Sequence, residues 1–364
     1  MVDRRIRQEL ASTKKEKPAP DQLQFGKEFT DHMFIMDYTP NEGWHDARIV
    51  PYQNISIDPS AMVFHYGQSV FEGLKAYLSP EGEAQLFRPD INLKRINNSN
   101  ERMCIPKIDE EFALDAMKEL VALEKDWIPE AEGTSLYIRP FIISTEPFLG
   151  VAPSHNYKFI VILSPVGAYY KEGINPVKIA VENKYVRAVT GGTGEAKTGG
   201  NYASSLKAQE EANKNGYAQV LWLDGVEKEY IEEVGSMNVF FKINGEIVTP
   251  ELNGSILEGV TRSTAIRLLE HWNYPVSERR VSMQEVYQAH QDGQLEEAFG
   301  TGTAAVVSPI GQLSWGDQHM VINEGQTGEV AKALYDNVTG IQYGTVEDPF
   351  GWITKVNETS VVEQ

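Results

Sequence analysis

Residues 191–203, GGTGEAKTGGNYA, place Lys197 among five glycines within ten positions. Backbone that free lets a planar ligand approach closely. An amine held in a desolvated cleft there sheds its proton more easily and can attack an aldehyde. A mobile loop carrying a solvated lysine would read the same way. A nucleotide-binding P-loop is a third reading, since 191–198 departs from that pattern only in having Ala196 before the lysine. A P-loop needs a helix that begins at the lysine, so that its amides meet the phosphates. Gly199 and Gly200 oppose such a first turn, at about 1 kcal/mol each relative to alanine.

Further segments could complete a site. Residues 232–240, EEVGSMNVF, set Glu232 and Glu233 before a Gly-Ser turn and a strand. A carboxylate held inside a site can keep a pyridine nitrogen protonated and make the ring an electron sink; solvated loop acids are the plain alternative. Residues 256–262, ILEGVTR, run into a helix, so the amides of Gly259, Val260 and Thr261 could meet an anion without a basic side chain. Residues 299–304, FGTGTA, offer hydroxyls among small residues, and Arg88 in LFRPD has the planar fork for a phosphate. Tight turns and a surface arginine would account for these equally. Residues 64–77, FHYGQSVFEGLKAY, gather aromatics around Gly67 and Gly73 and read chiefly as core. His32 and His65 lack a second ligand at metal spacing, and no Gly-x-Ser-x-Gly elbow occurs.

The elements that must position these residues alternate between strand and helix patterns. Residues 29–38, 70–77 and 84–87 read as strands between Pro- and Gly-containing turns. Glu110–Leu123 has helical spacing, with Phe112, Ala113, Ala116, Met117, Leu120 and Leu123 on one side. Residues 135–144 and 158–165 are apolar and β-branched, as buried strands are. Apolar character drops at 167–176, which predicts a connector. Beyond it come a strand at 177–181, a helix at 202–215 stopped by Gly216, a strand at 219–224, and a hairpin turned at Asn244-Gly245. Helices are expected at 263–272 and from Ser282, whose spacing to Glu285 is that of a capping box, and a short strand at 304–308.

The bulk properties bound the function. A length of 364 residues predicts two domains. A net charge of −19 argues against nucleic-acid binding and against docking on an anionic membrane. Cys104 is the sole cysteine, so no intrachain disulfide or all-cysteine zinc site can form. No apolar run reaches membrane-spanning length. The first 22 residues mix arginines and lysines with acids, which favours a solvated arm over an organelle transit peptide.

In this order, FGKEFTDHM, FEGLKAY, LFRP, TSLYIRP, EPFLGV, VGAYY, KTGGNYA, EVGSMN, NGSILEGVTR and FGTGTA resemble the signatures of the branched-chain amino acid aminotransferases, fold-type IV pyridoxal-phosphate enzymes. The resemblance runs from Phe25 to about Trp315, most of the chain. It implies an α/β fold of α+β character: a smaller N-terminal α/β domain over 1–170, a connector at 171–177, and a larger cofactor-binding domain with a barrel-like sheet over 178–364. It implies Lys197 as the Schiff-base lysine and proton carrier, Glu233 as partner of the pyridine nitrogen, and Tyr202 near the phenolic oxygen. The phosphate falls to Arg88, Thr303, Val260 and Thr261, with Arg187 and Leu257 nearby. Ser236 stands where some relatives have threonine and keeps the hydroxyl. The substrate carboxylate is expected at the Ser236 and Ala304 turns. Its side chain is expected among Phe29, Tyr66, Phe71, Tyr137 and Tyr169, with Leu149 and Val151 from a second subunit and Arg139 meeting the glutamate carboxylate.

The implied reaction moves the amino group of leucine, isoleucine or valine to 2-oxoglutarate through pyridoxal 5'-phosphate, in two half-reactions with ping-pong kinetics. A homodimer acting on small molecules in the cytoplasm is the implied setting. Some animal members carry a C-x-x-C pair where this chain has Ala305 and Ser308, so thiol regulation of that kind is not expected. D-amino acid aminotransferases and aminodeoxychorismate lyases share the lysine and glutamate and remain the alternatives within the fold group.

Overall fold

The structure, a computed structural model, describes residues 5–167 and 174–356. Tyr169 and residues 171–173 of the expected connector lie outside the described residues. The chain divides into two compact units, Met1–Ala168 with Gly340–Gln364, and Tyr169–Thr339.

The first unit is built on one antiparallel sheet, with Gly43–Pro51, His32–Thr39, Tyr157–Val166, Ser135–Ser144, Leu74–Leu78 and Ala84–Phe87 side by side. The helices Pro89–Arg102 and Glu110–Leu123 join the sheet in one apolar core that includes Leu93, Ile96, Phe112, Ala116, Met117 and Leu120. Asp109 caps the second helix by accepting from the Phe112 amide at 3.0 Å, as short polar residues do at helix starts.

Two expectations are corrected here. The segment 178–364 is not one continuous domain. Ile353–Lys355 returns to pair with Ala84–Phe87 in the first unit, and Gln85 Nε2 donates to the Gln342 carbonyl at 2.9 Å. The physical reason is a bare sheet edge that needs a partner; a three-residue strand carries too little pattern to announce itself. The strand expected at 70–77 is two strands, Ser69–Phe71 and Leu74–Leu78. The chain breaks at Glu72, whose buried carboxylate accepts from Arg95 Nε at 2.7 Å, Arg95 Nη2 at 2.9 Å and Asn92 Nδ2 at 2.8 Å.

The second unit closes a six-stranded barrel. Val177–Glu182, Gln219–Leu223, Ile231–Val234, Met237–Ile243, Leu295–Gly302 and Val306–Trp315 pair in turn, and the last pairs with the first. Closure removes the edges that an open sheet must protect. The Asn244-Gly245 hairpin forms with both residues at positive φ, 50° and 79°, as a two-residue turn of that type requires. Ser282 Oγ accepts from the Glu285 amide at 3.0 Å at the head of Met283–Gln291. Gly216, at φ 80°, follows the helix Leu206–Lys214.

Three boundaries differ from the sequence pattern. The helix expected at 202–215 is two, Gly199–Ala203 and Leu206–Lys214, broken where Ser204 and Ser205 hydroxyls bond back to the Asn201 and Tyr202 carbonyls. The helix expected at 263–272 starts earlier, at Val260. The strand expected at 304–308 runs from Val306 to Trp315, because residues 303–305 form the turn before it.

Arg95→Ala should destabilise the protein by about 3–5 kcal/mol, because it strands the Glu72 carboxylate in the core without its cation. Urea unfolding should show this, and the double variant Glu72→Ala/Arg95→Ala should recover part of the loss. Additive losses in the double variant would contradict the pairing.

Candidate functional site

The loop carrying Lys197 is held by a clasp, not left mobile. Thr193 Oγ1 donates to Asn201 Oδ1 at 2.8 Å, and Asn201 Nδ2 donates to the Thr193 and Ala196 carbonyls at 2.7 and 2.8 Å. Its glycines do unlike jobs. A Cβ on Gly194 would sit 2.2 Å from the Ser255 carbonyl oxygen, so two backbones touch there. Gly200 faces open space. The Lys197 amine is half-buried and donates to the Tyr202 hydroxyl at 2.9 Å. A five-residue helix, Gly199–Ala203, does follow the lysine directly; the glycines therefore sit in a first turn after all. The turn is short enough for the clasp to hold it despite their weak propensity.

Glu233 ends a barrel strand and is fully buried. Its Oε1 accepts from the Leu257 amide at 2.8 Å, and Arg187 Nε lies 3.3 Å from its Oε2. That contact is an ion pair without a hydrogen bond, and Arg187 Nε has no hydrogen-bond partner among the described residues. Burial raises the Glu233 carboxyl above the usual carboxylate range, although Arg187 and the Leu257 N–H oppose it. Arg187 also donates to the Ser255 carbonyl. The resemblance expects Arg187 and Leu257 beside a phosphate; here both meet Glu233, since a buried carboxylate draws the nearest cation and N–H.

Asn238 ties these parts together. It pairs with Glu233 across the barrel wall and its Nδ2 donates to the Leu257 carbonyl at 2.9 Å. Gly235, at φ 57°, makes the turn that presents Ser236. Arg187, Tyr202, Glu233, Ser236 and Leu257 line one pocket with an empty volume of about 370 Å³, within the roughly 300–1,000 Å³ of small-ligand sites.

The helix Val260–His271 begins after Gly259, so Val260 and Thr261 supply its first amides, which have no acceptor within a helix. Thr303 and Ala304 sit in the turn after Leu295–Gly302, the strand whose Thr301 pairs with Asn238. Sequence reasoning assigned no role to Asn201, Asn238 or Ser255. The first two lie within the quoted motifs, but an asparagine that clasps backbone leaves no periodic signal. Glu232 is buried too, bonded by Ser255 Oγ, with Oε2 lacking a hydrogen-bond partner among the described residues.

In the first unit, Arg139 Nη2 donates to the Tyr137 hydroxyl at 2.8 Å, and its guanidinium lies 4.7 Å from the Phe71 ring centre. Lys75 is paired in register with Tyr137, and burial pulls its ammonium down to about 8. Phe29 stacks on Tyr52 with ring centres 5.0 Å apart. Tyr66 donates to the Leu149 carbonyl, while Leu149 and Val151 are 61% and 86% exposed. Arg88 adopts φ 48° ahead of the helix Pro89–Arg102 and packs 5.1 Å from the Trp352 ring centre. Burial lowers its pKa from the usual arginine value.

Gly194→Ala should destabilise the protein by about 1–3 kcal/mol, because backbone must shift to admit the methyl. Gly200→Ala should be neutral or stabilise by up to about 1 kcal/mol. Thermal unfolding of the two variants checks the contrast, and equal effects would contradict the loop packing.

The model of the amino-transferase class IV family matches residues 69–313. Branched-chain-amino-acid aminotransferase 2 of Bacillus subtilis is 68% identical over 356 residues, covering 98% of each chain. The branched-chain amino acid aminotransferase of Escherichia coli has a similar structure, with TM-score 0.75 and 28% identity over 90% of this chain and 99% of that one. A thermophile's branched-chain amino acid aminotransferase, from T.th. and solved with pyridoxamine 5'-phosphate, gives TM-score 0.75 and 29% identity over 91% of this chain and 100% of that one. With the barrel, the clasped lysine and the buried carboxylate described, these matches identify the chain as a member of the class IV aminotransferase family, of fold type IV.

Proposed function

We propose that the chain is a branched-chain amino acid aminotransferase that uses pyridoxal 5'-phosphate held at Lys197, with 2-oxoglutarate and glutamate as the second substrate pair. The observation that carries the cofactor reading is Glu233. It is a fully buried carboxylate whose charge Arg187 and the Leu257 amide leave incompletely compensated. A protonated ring nitrogen beside it would complete the compensation. The donor set suits the rest of that cofactor: an amine at Lys197, a phenol at Tyr202, and helix and turn amides for an anion. When bound, pyridoxal phosphate supplies an aldehyde for the amine and a ring that withdraws electrons from the substrate Cα.

The residues divide the work. Lys197 anchors the cofactor and carries the proton leaving Cα, with Tyr202 orienting the amine through their 2.9 Å hydrogen bond. Glu233 keeps the ring nitrogen protonated. Val260, Thr261, Thr303 and Arg88 are assigned to the phosphate, with Arg187 and Leu257 supporting Glu233. Ser236 and Ala304 are assigned to the substrate carboxylate. Phe29, Tyr66, Phe71 and Tyr137 are assigned to the aliphatic side chain, Arg139 to the glutamate carboxylate, and Tyr169 keeps its sequence assignment. One site serving two half-reactions requires ping-pong kinetics. An apolar pocket separates leucine, isoleucine and valine weakly, since one methylene is worth about 1–3 kcal/mol.

A homodimer belongs to the same reading. Phe64, Tyr66, Phe148, Leu149 and Val151 leave large apolar surface exposed in the first unit, and such patches mark association surfaces. Leu149 and Val151 are assigned to the neighbouring subunit's site. A cytoplasmic setting suits a chain with a single thiol, and no helix among the described residues is long and apolar enough to cross a membrane.

Lys197→Ala should abolish transfer from L-leucine to 2-oxoglutarate, and Glu233→Gln should lower kcat by about 100-fold or more with folding retained. Coupled assay of glutamate formation, with circular dichroism as the folding control, decides it. Retained turnover in Lys197→Ala would overturn the lysine assignment.

A further inference from the structure

The N-terminal arm is tied to the protein by discrete polar bonds. Arg7–Gln8 pairs in parallel with Arg48 and Ile49 at the sheet edge. The Ala11 amide then donates to His32 Nε2 at 2.8 Å, so the ring proton sits on Nδ1, facing the buried Glu124 carboxylate. The Lys15 amide donates to Asp31 Oδ1 at 2.8 Å, and Trp127 Nε1 donates to Asp31 Oδ2 at 3.0 Å. Lys17 Nζ reaches the Asp126 carbonyl at 2.7 Å.

The Lys15 side chain does something more specific. Its ammonium donates to the carbonyls of Phe29 at 3.1 Å and Thr30 at 2.8 Å. The same ammonium lies 4.4 Å from the centre of the Tyr52 ring. Tyr52 in turn stacks on Phe29, with rings tilted by only 8°, and its amide bonds to the Asp31 carbonyl at 2.8 Å. One cation thus fixes the backbone of Phe29 and touches the ring that fixes the Phe29 side chain. Phe29 otherwise sits in irregular chain just ahead of His32–Thr39, where no ladder holds it.

We propose that the arm is a specificity element of the enzyme, in which Lys15 is a positioning residue that holds the Phe29–Tyr52 stack and thereby sets how tightly branched substrates bind. This rests on the assignment of Phe29 to the substrate side chain. Lys15 touches none of the residues assigned to proton transfer, so its effect falls on KM and not on kcat.

The test compares Lys15→Ala, Lys15→Arg and Phe29→Leu in the cofactor-loaded, full-length enzyme by steady-state kinetics with L-leucine. Lys15→Ala should raise the leucine KM about three- to fivefold, the scale of one cation–ring contact. Its kcat and unfolding midpoint should stay near wild type, and Lys15→Arg should restore most of the KM. A normal KM in Lys15→Ala, with a raised KM in Phe29→Leu, would overturn the inference and leave the pocket assignment standing. A joint fall of kcat and unfolding midpoint that Lys15→Arg does not rescue would reduce the arm to a structural strap and also overturn it. An unchanged KM in Phe29→Leu would remove the pocket assignment and the inference together.

Discussion

A carboxylate buried in the barrel wall sets the terms for the rest of the site. Taking Glu233 out of water costs several kcal/mol unless charge and hydrogen bonds replace the solvent. The chain supplies Arg187 and the Leu257 amide and still leaves the carboxyl above its usual range. Those two partners come from loops distant in sequence, so both loops must be locked to the barrel. Asn238 locks one through the Leu257 carbonyl, and Gly259 must lack a Cβ because one would lie 1.9 Å from Asn238 Oδ1. The same glycine then starts the helix whose first amides face outward. Stability is given up at Glu233 in favour of function, as is common where a site holds a charge ready for a ligand.

The Lys197 loop obeys the same constraint by another route. It leans its backbone on Ser255 at Gly194, and Ser255 also accepts from Arg187 and donates to Glu232. Lysine loop, arginine and acid are therefore coupled through one short stretch, 253–259. A perturbation there should move all three. In the first unit the corresponding device is the Glu72–Arg95 pair, which breaks a strand beside Phe71. That break leaves Gly73 against the Tyr137 hydroxyl, where a Cβ would lie 2.1 Å away.

Much of this was legible in the letters. The Asn244-Gly245 turn, the Ser282 cap and the Glu110–Leu123 face have local causes, and local causes leave local patterns. Lys197, Glu233 and Arg88 came from segments whose composition was odd enough to question, and the order of those segments resolved what each alone could not. What stayed hidden has non-local causes. Ile353–Lys355 belongs to the first unit only because an edge there awaits a partner. Glu72 interrupts a strand only because Arg95 lies 23 residues on and reaches back. Asn201 and Asn238 clasp backbone carbonyls that no periodicity marks. Lys15 sits in a charged arm that reads as solvated, yet its ammonium is bound on carbonyl oxygens.

The most direct measurement is the visible absorption spectrum of the purified protein with pyridoxal phosphate, before and after L-leucine, with D-alanine as control. A visible band that L-leucine bleaches and D-alanine leaves intact is the predicted result. No band after pyridoxal phosphate is added, or bleaching by D-alanine alone, would contradict the account.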